Sequence, residues 1–216
     1  LKALEINNKS AIAHLNLGAC YKEKQEIEKA IFHTEMSIEL DNKLENCYLN
    51  LATIYNQIGD YKKSFKLTKK ELLLNNNNAL SYQHMSELIK KGELLNTSEK
   101  DDREILYTIL ERKDISHREL FSNINSLISE EILERLSILE SKLYENKEFN
   151  ILIENKELVK ALSLLIFCSP LWEKVLTNIR KKILINYSDK DKFSKNVFNF
   201  TIGLGSQCFL NEYVYY

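Results

Sequence analysis

The sequence predicts an all-α fold, and three observations carry that expectation. Only five Gly and one Pro occur among 216 residues, so tight turns and long loops have few residues to build them and helices run on uninterrupted. Apolar residues recur at helical spacing along most of the chain instead of alternating as in a half-buried strand. The chain also resembles itself when shifted by 34 residues, a length that fits a unit of two helices.

That shift lays Ala11-Ile-Ala-His-Leu-Asn-Leu-Gly18 over Glu45-Asn-Cys-Tyr-Leu-Asn-Leu-Ala52 and Tyr21 over Tyr55, with a third copy in Ala79-Leu-Ser-Tyr-Gln-His-Met-Ser86. His14, Leu17, Gly18, Tyr21 and Ala30 hold the pattern in the first unit, and Tyr48, Leu51, Ala52, Tyr55, Gly59, Asp60, Tyr61 and Ser64 in the second. These residues resemble the tetratricopeptide-repeat family, whose first helix carries a bulky residue, then Leu-Gly/Ala, then an aromatic, and whose second helix carries a small residue near its start. The resemblance implies an all-α helical-hairpin solenoid over 1–92. It has the end of one repeat in Lys2-Ala-Leu-Glu-Ile-Asn7, full repeats at 11–44 and 45–78, and a partial repeat from 79. Asn42 and Asn76 stand where the family has Pro, and the pattern is lost after Gly92. The residues agree without the family: Leu17, Tyr21, Ile31 and Ile38 form apolar faces that only a neighbouring hairpin can cover, and the small Gly18 and Ala52 let helices approach closely. About three stacked hairpins are needed for independent stability, so the rest of the chain is expected to cap the array. Leu1 falls in mid-repeat and Tyr216 ends an apolar run without a helix stop, which reads as a piece of something longer.

From Ser98 onward the helical period persists without the 34-residue one, giving a helical transition over 93–128 and a compact helical domain, cut short, over 129–216. Ser116-x-x-Glu119 reads as a capping box, and Ser169-Pro170 as an N-cap followed by Pro at the first helical position. One helix is expected from Ser129 to Asn146 with Ile132, Leu133, Leu136, Leu139 and Leu143 on one face. Another begins at Pro170, with Trp172, Val175, Leu176, Ile179 and Ile183. Leu171-Trp-Glu-Lys-Val-Leu-Thr-Asn-Ile-Arg-Lys-Lys-Ile-Leu184, with Phe200 and Gln207-Cys-Phe-Leu-Asn-Glu-Tyr-Val214, resembles the helical region before the catalytic domain of bacterial tetratricopeptide-repeat class I methyltransferases. That resemblance implies a parent protein using S-adenosylmethionine, with a methyltransferase domain of the same chain beyond Tyr216 as a partner. Gly203-Leu-Gly205 is the candidate for a glycine-rich cofactor turn, but no β-branched strand precedes it, so its glycines read as helix-packing residues. Gln207, Asn211 and Glu212 are expected to touch the further domain.

Composition narrows function further. Lys+Arg 30 against Asp+Glu 31 leaves no global field for nucleic acid or an anionic membrane. The most apolar stretch, Leu158 to Cys168, is far shorter than the roughly 20 residues a bilayer span needs, and no secretory signal pattern opens the chain, so a cytoplasmic location is expected. Cys20, Cys47, Cys168 and Cys208 show neither C-x-x-C nor zinc spacing and read as buried reduced thiols. His14, His33, His84 and His117 show no metal spacing and read as core or surface residues. The Asn75 to Asn78 run reads as an inter-helix turn. Lys62, Lys63, Lys66, Lys69 and Lys70 read as the solvated convex side of a second helix.

No catalytic, metal or cofactor group is assigned, so the chain reads as a non-enzymatic binding scaffold for a protein or extended peptide. The alternative is the non-catalytic, substrate-positioning arm of the methyltransferase. The position one before Leu17 and Leu51 points into the concave groove of such an array and holds Asn16, Asn50 and His84, with Ala19 and Thr53 beside them. By the resemblance, a ladder of amides there binds a peptide backbone, since an amide both donates and accepts. The two-carboxylate clamp of chaperone adaptors is not matched, because Leu15, Ala19, Leu80 and His84 hold its positions and only Asn50 fits.

Overall fold

Helices make up the structure, a computed structural model that describes residues 9–140, 142–167, 169–185 and 194–212, the side chains of 208–212 excepted; no strand occurs among them. Lys2 to Asn7, Cys168, Tyr216 and the side chains of Cys208, Asn211 and Glu212 therefore lie outside the described residues. The chain divides after Glu93 into two compact units.

The first unit is an array of helical hairpins: α1 (Ala11–Glu23) with α2 (Ile27–Leu40), α3 (Cys47–Gln57) with α4 (Tyr61–Leu74), then α5 (Ala79–Lys90). Each hairpin turns the same way for the same reason. Gln25 (φ 61°) and Gly59 (φ 84°), one period apart, take the left-handed conformation, and the next amide reaches back to a tyrosine carbonyl, Glu26 N to Tyr21 O and Asp60 N to Tyr55 O, both at 2.9 Å. Only Gly adopts that conformation without steric cost, so Gln25 carries strain that Gly59 does not.

Packing repeats as faithfully. A Cβ on Gly18 would collide with Thr34 Oγ1 and crowd the Ala30 carbonyl, while fully buried Ala52 lies under Ser64, whose hydroxyl donates to Ala52 O at 2.8 Å. Thr34 and Thr68 each return their hydroxyl to the carbonyl four residues back, which removes a buried donor from the account. Ala30, Leu51, Ile54 and Tyr55 form the shared core, with Tyr21, Ile27, Ile31, Ile38 and Leu67 packed around it. Lysines cover the tyrosine rings in matching positions, Lys29 over Tyr21 and Lys63 over Tyr55. Asn46, the N-cap of α3, makes no side-chain cap. Buried Glu71 supplies it instead, accepting from Asn46 N at 2.9 Å and Leu49 N at 3.4 Å. The Asn run is the turn from α4 to α5, ending in Asn78, whose side chain caps Ser81 N at 3.2 Å.

The second unit holds α6 (Lys100–Glu111), α7 (Phe121–Asn125), α8 (Glu130–Ser137), α9 (Lys147–Glu154), α10 (Lys156–Leu162), α11 (Pro170–Ile185) and α12 (Lys195–Glu212), with single 3₁₀ turns at Arg118–Leu120 and Leu143–Glu145. Its centre is aromatic: Trp172, Phe149 and Phe200 are fully buried, with edge-to-face contacts between Phe149 and Phe200 and between Phe167 and Trp172. Helix α11 starts at Pro170 and buries Trp172, Val175, Leu176, Ile179 and Ile183, as its spacing predicts.

Two sequence expectations are corrected by these helices. The helix expected from Ser129 to Asn146 stops at Ser137, because α11 takes its carbonyls: Asn178 Nδ2 donates to Leu136 O and Leu139 O, and Lys182 Nζ to Glu140 O. Ser116 and Glu119 do not form a capping box; His117 occupies the N-cap of a 3₁₀ turn without a side-chain cap, and its Nε2 meets Ile109 O at 2.9 Å. Residues of the 93–128 segment bond to the helices after it, Arg103 to Glu157 and Asn125 to Trp172.

Candidate functional site

The first helices of the hairpins, α1, α3 and α5, carry the predicted ladder. Asn16 is exposed on α1 and Asn50 half-buried on α3, and neither side-chain amide has a hydrogen-bond partner among the described residues. Ala19, three residues after Asn16 on the same helix, is half-buried. Thr53, half-buried one turn after Asn50, donates its hydroxyl to Asn50 O at 2.8 Å. Ile12 and Leu80 are exposed one turn before Asn16 and His84.

His84 is a correction. It is buried, and its Nε2 lies 3.0 Å from Ser64 Oγ. The Ser64 proton is given to Ala52 O, so His84 Nε2 carries the proton and donates. Its side chain belongs to the packing of α5 on α4, and the open ladder has two rungs instead of three. Burial lowers the basicity of His84 first; Glu87 opposes this, while Lys91 and Lys22 add to it.

Those two lysines are site residues that the repeat pattern did not single out. Lys22 Nζ reaches Thr53 Oγ1 at 3.4 Å from α1, and Lys91 Nζ reaches Asn56 Oδ1 at 2.6 Å from the end of α5. Both bridge onto α3 through neutral oxygens, and Lys22 Nζ also lies 3.9 Å from Glu23 Oε1, so the face carries amides, a hydroxyl, two ammonium groups and the Glu23 carboxylate beside one of them. Lys22 and Asn56 are one period apart, and extending the register one turn beyond Thr53 would have found them. Lys91 lies one residue out of register and left no such signal.

Other expectations resolve around this face. His14 is buried as a core residue, and its Nδ1 lies 3.0 Å from His33 Nδ1. One ring must donate and the other accept, since two lone pairs would repel. His33 also stacks on Tyr21, with rings 8° from parallel, and its basicity is lowered by burial and then by His14. Cys47 is a buried thiol, pushed up by burial, with Ser37 Oγ 3.3 Å from its sulfur. Cys20 is exposed instead of buried. Of the lysines on α4, Lys63 and Lys70 lie on the rings of Tyr55 and Tyr48, while Lys62 and Lys66 are exposed.

In the second unit, Gly203 and Gly205 sit inside α12, where backbone amides are spent on the helix ladder and do not form a phosphate cradle. A Cβ on Gly203 would come within 2.8 Å of Leu162 Cβ, so its role is close approach of α12 to α10. Gln207 is buried, not presented to a further domain: its amide donates to Leu162 O and, at 2.6 Å, to Leu165 O. No group of three or more metal-ligating side chains occurs among the described residues, and no described helix is long and apolar enough to cross a membrane.

No family model matches the chain, and no curated protein matches it. Among solved structures it is similar to YrrB, described as a TPR protein with an unusual peptide-binding site, at 17% identity over 95% of this chain and 91% of that one, with a TM-score of 0.44.

Proposed function

We propose that the chain is a scaffold whose face formed by α1, α3 and α5 binds an extended peptide. One observation carries this reading: Asn16 and Asn50, one period apart on consecutive first helices, hold out amides that nothing within the described residues engages. Surface amides can stay hydrated at little cost. Two in register also match the alternating donors and acceptors of a peptide backbone. Exposed Ile12 and Leu80 offer apolar contact, and Lys22 and Lys91 favour a peptide with acidic side chains.

The reading as a methyltransferase arm has no such support: of the residues it drew attention to, Gly203 and Gln207 are used to pack α12 onto α10, and Gly205 meets nothing within 4 Å.

The test is panning of a random peptide library on the whole chain, then titration of the enriched peptide. Replacing Asn16 and Asn50 together with Ala should weaken that peptide by roughly five- to 150-fold, as two hydrogen bonds of about 0.5–1.5 kcal/mol each imply, with the melting temperature unchanged. Equal affinity of the double variant, or no enrichment at all, would remove the ladder from consideration.

A further inference from the structure

The 34-residue period sets the outer face of α2 and the outer face of α4 at matching heights, and their charges are opposite. On α2, Glu28, Phe32, Glu35 and Glu39 succeed one another at helical spacing and all are exposed. One period on, α4 carries Lys62, Lys66, Lys69 and Leu73 in the same slots. Phe32 is 57% and Leu73 52% exposed, far more than a hairpin needs to leave uncovered. Glu28, Glu35, Glu39, Lys62 and Lys66 make no ion pair within the described residues. The two faces belong to the second helices of consecutive hairpins, which begin and end one period apart, Ile27–Leu40 and Tyr61–Leu74.

We propose that this face is its own complement and that two copies of the chain dock through it. A twofold axis running along the helices lays α2 of one copy over α4 of the other at the same height. Glu28 then meets Lys62, Phe32 meets Lys66, and Glu35 meets the lysine turn between Lys66 and Lys69, each contact being made twice. An axis across the helices would set acid against acid. A nucleic acid or an anionic membrane would be drawn to α4 and repelled by α2, so a second copy is the occupant that satisfies both rows. Two helix faces cover less than the ~800 Å² per partner of a standard interface, and exposed ion pairs contribute about 0–1 kcal/mol each. The dimer is therefore weak, reversible and sensitive to salt.

This inference is independent of the peptide face, and sedimentation equilibrium of the full chain over a concentration series tests it. At low salt a monomer–dimer equilibrium is expected. It should dissociate near 1 M salt, where screening acts within about 3 Å. Glu28→Lys with Glu35→Lys makes both rows basic, and Lys62→Glu with Lys66→Glu makes both acidic. Each variant alone should weaken self-association about tenfold or more, since four exposed pairs near 0.4 kcal/mol each are lost. An equimolar mixture of the two variants should associate again as a heterodimer. All four residues are exposed, so circular dichroism should match the parent. A chain that stays monomeric at every concentration, a dimer indifferent to either reversal, or a mixture that fails to associate would each overturn the proposal.

Discussion

The two units use hydrogen bonds over different ranges. In the hairpins the polar work is local or one period away: Thr34 and Thr68 bond the carbonyl four residues back, and Ser64 bonds Ala52 across its own hairpin. In the second unit the decisive bonds join distant segments: Asn125 with Trp172, Asn178 with Leu136 and Leu139, Gln207 with Leu165, Arg103 with Glu157. The first unit is thus built by repetition of one local solution. The second is built by side chains that end one helix by reaching from another.

Breaking the longest-range pair should give the largest effect, and an unequal one. Glu157 is 1% exposed, whereas the Arg103 side chain is 38% exposed. Arg103→Ala leaves a buried carboxylate without its cation, a loss on the order of 3 kcal/mol. Glu157→Ala leaves a guanidinium that can turn to water and should cost about 1 kcal/mol. Urea denaturation of the full chain measures both. Equal losses would mean that the pair is held by packing and not by charge.

This contrast explains what the sequence could show. Gly18, Tyr21, Ala52 and Tyr55 announce their roles because each recurs with the same neighbours one period later. Trp172 and the apolar face of α11 were legible from spacing alone. The premature end of α8 was not, since α8 itself has good helical residues and the cause lies in Asn178, far along the chain. His84 misled for a related reason: its register matches Asn16 and Asn50, yet Ser64 replaces the Ala30 of the preceding hairpin and gives the imidazole an internal acceptor. Exposed Cys20 shows that an apolar stretch does not specify which of its residues face solvent.

A smaller effect separates two glycines on one helix. Gly203→Ala forces a methyl against Leu162 Cβ and should destabilise the chain by about 1–3 kcal/mol, as overpacking does. Gly205→Ala meets nothing within 4 Å and should stabilise it by about 0.5–1 kcal/mol, because alanine orders a helix at lower entropic cost. Thermal melts of the two variants should move in opposite directions. If both fell, α12 would need flexibility at Gly205 that its open surroundings do not reveal.

The smallest effect returns to the hairpins and is read from pH. His33 is less basic in the folded chain than the ordinary value of 6.5, by burial and then by His14, and His84 is lowered as well, chiefly by burial. A lowered histidine favours the neutral form in the fold, so the unfolded chain binds more protons once pH drops below 6.5. The associated stability is fully present above 6.5 and is lost as pH falls. The Nδ1 to Nδ1 bond adds a geometric reason, since a second proton on the His14–His33 pair would set two donors face to face at 3.0 Å. Melting temperature should therefore fall between pH 7.5 and about 5, a window above the usual carboxylate range near 4. His33→Gln should lower the melting temperature at pH 7.5, by losing the stack on Tyr21, yet reduce its further drop toward pH 5. Adding His84→Gln should flatten the profile more. A double variant whose melting temperature still drops as far as the parent's would place the acid sensitivity outside the hairpins, among the charged pairs of the second unit.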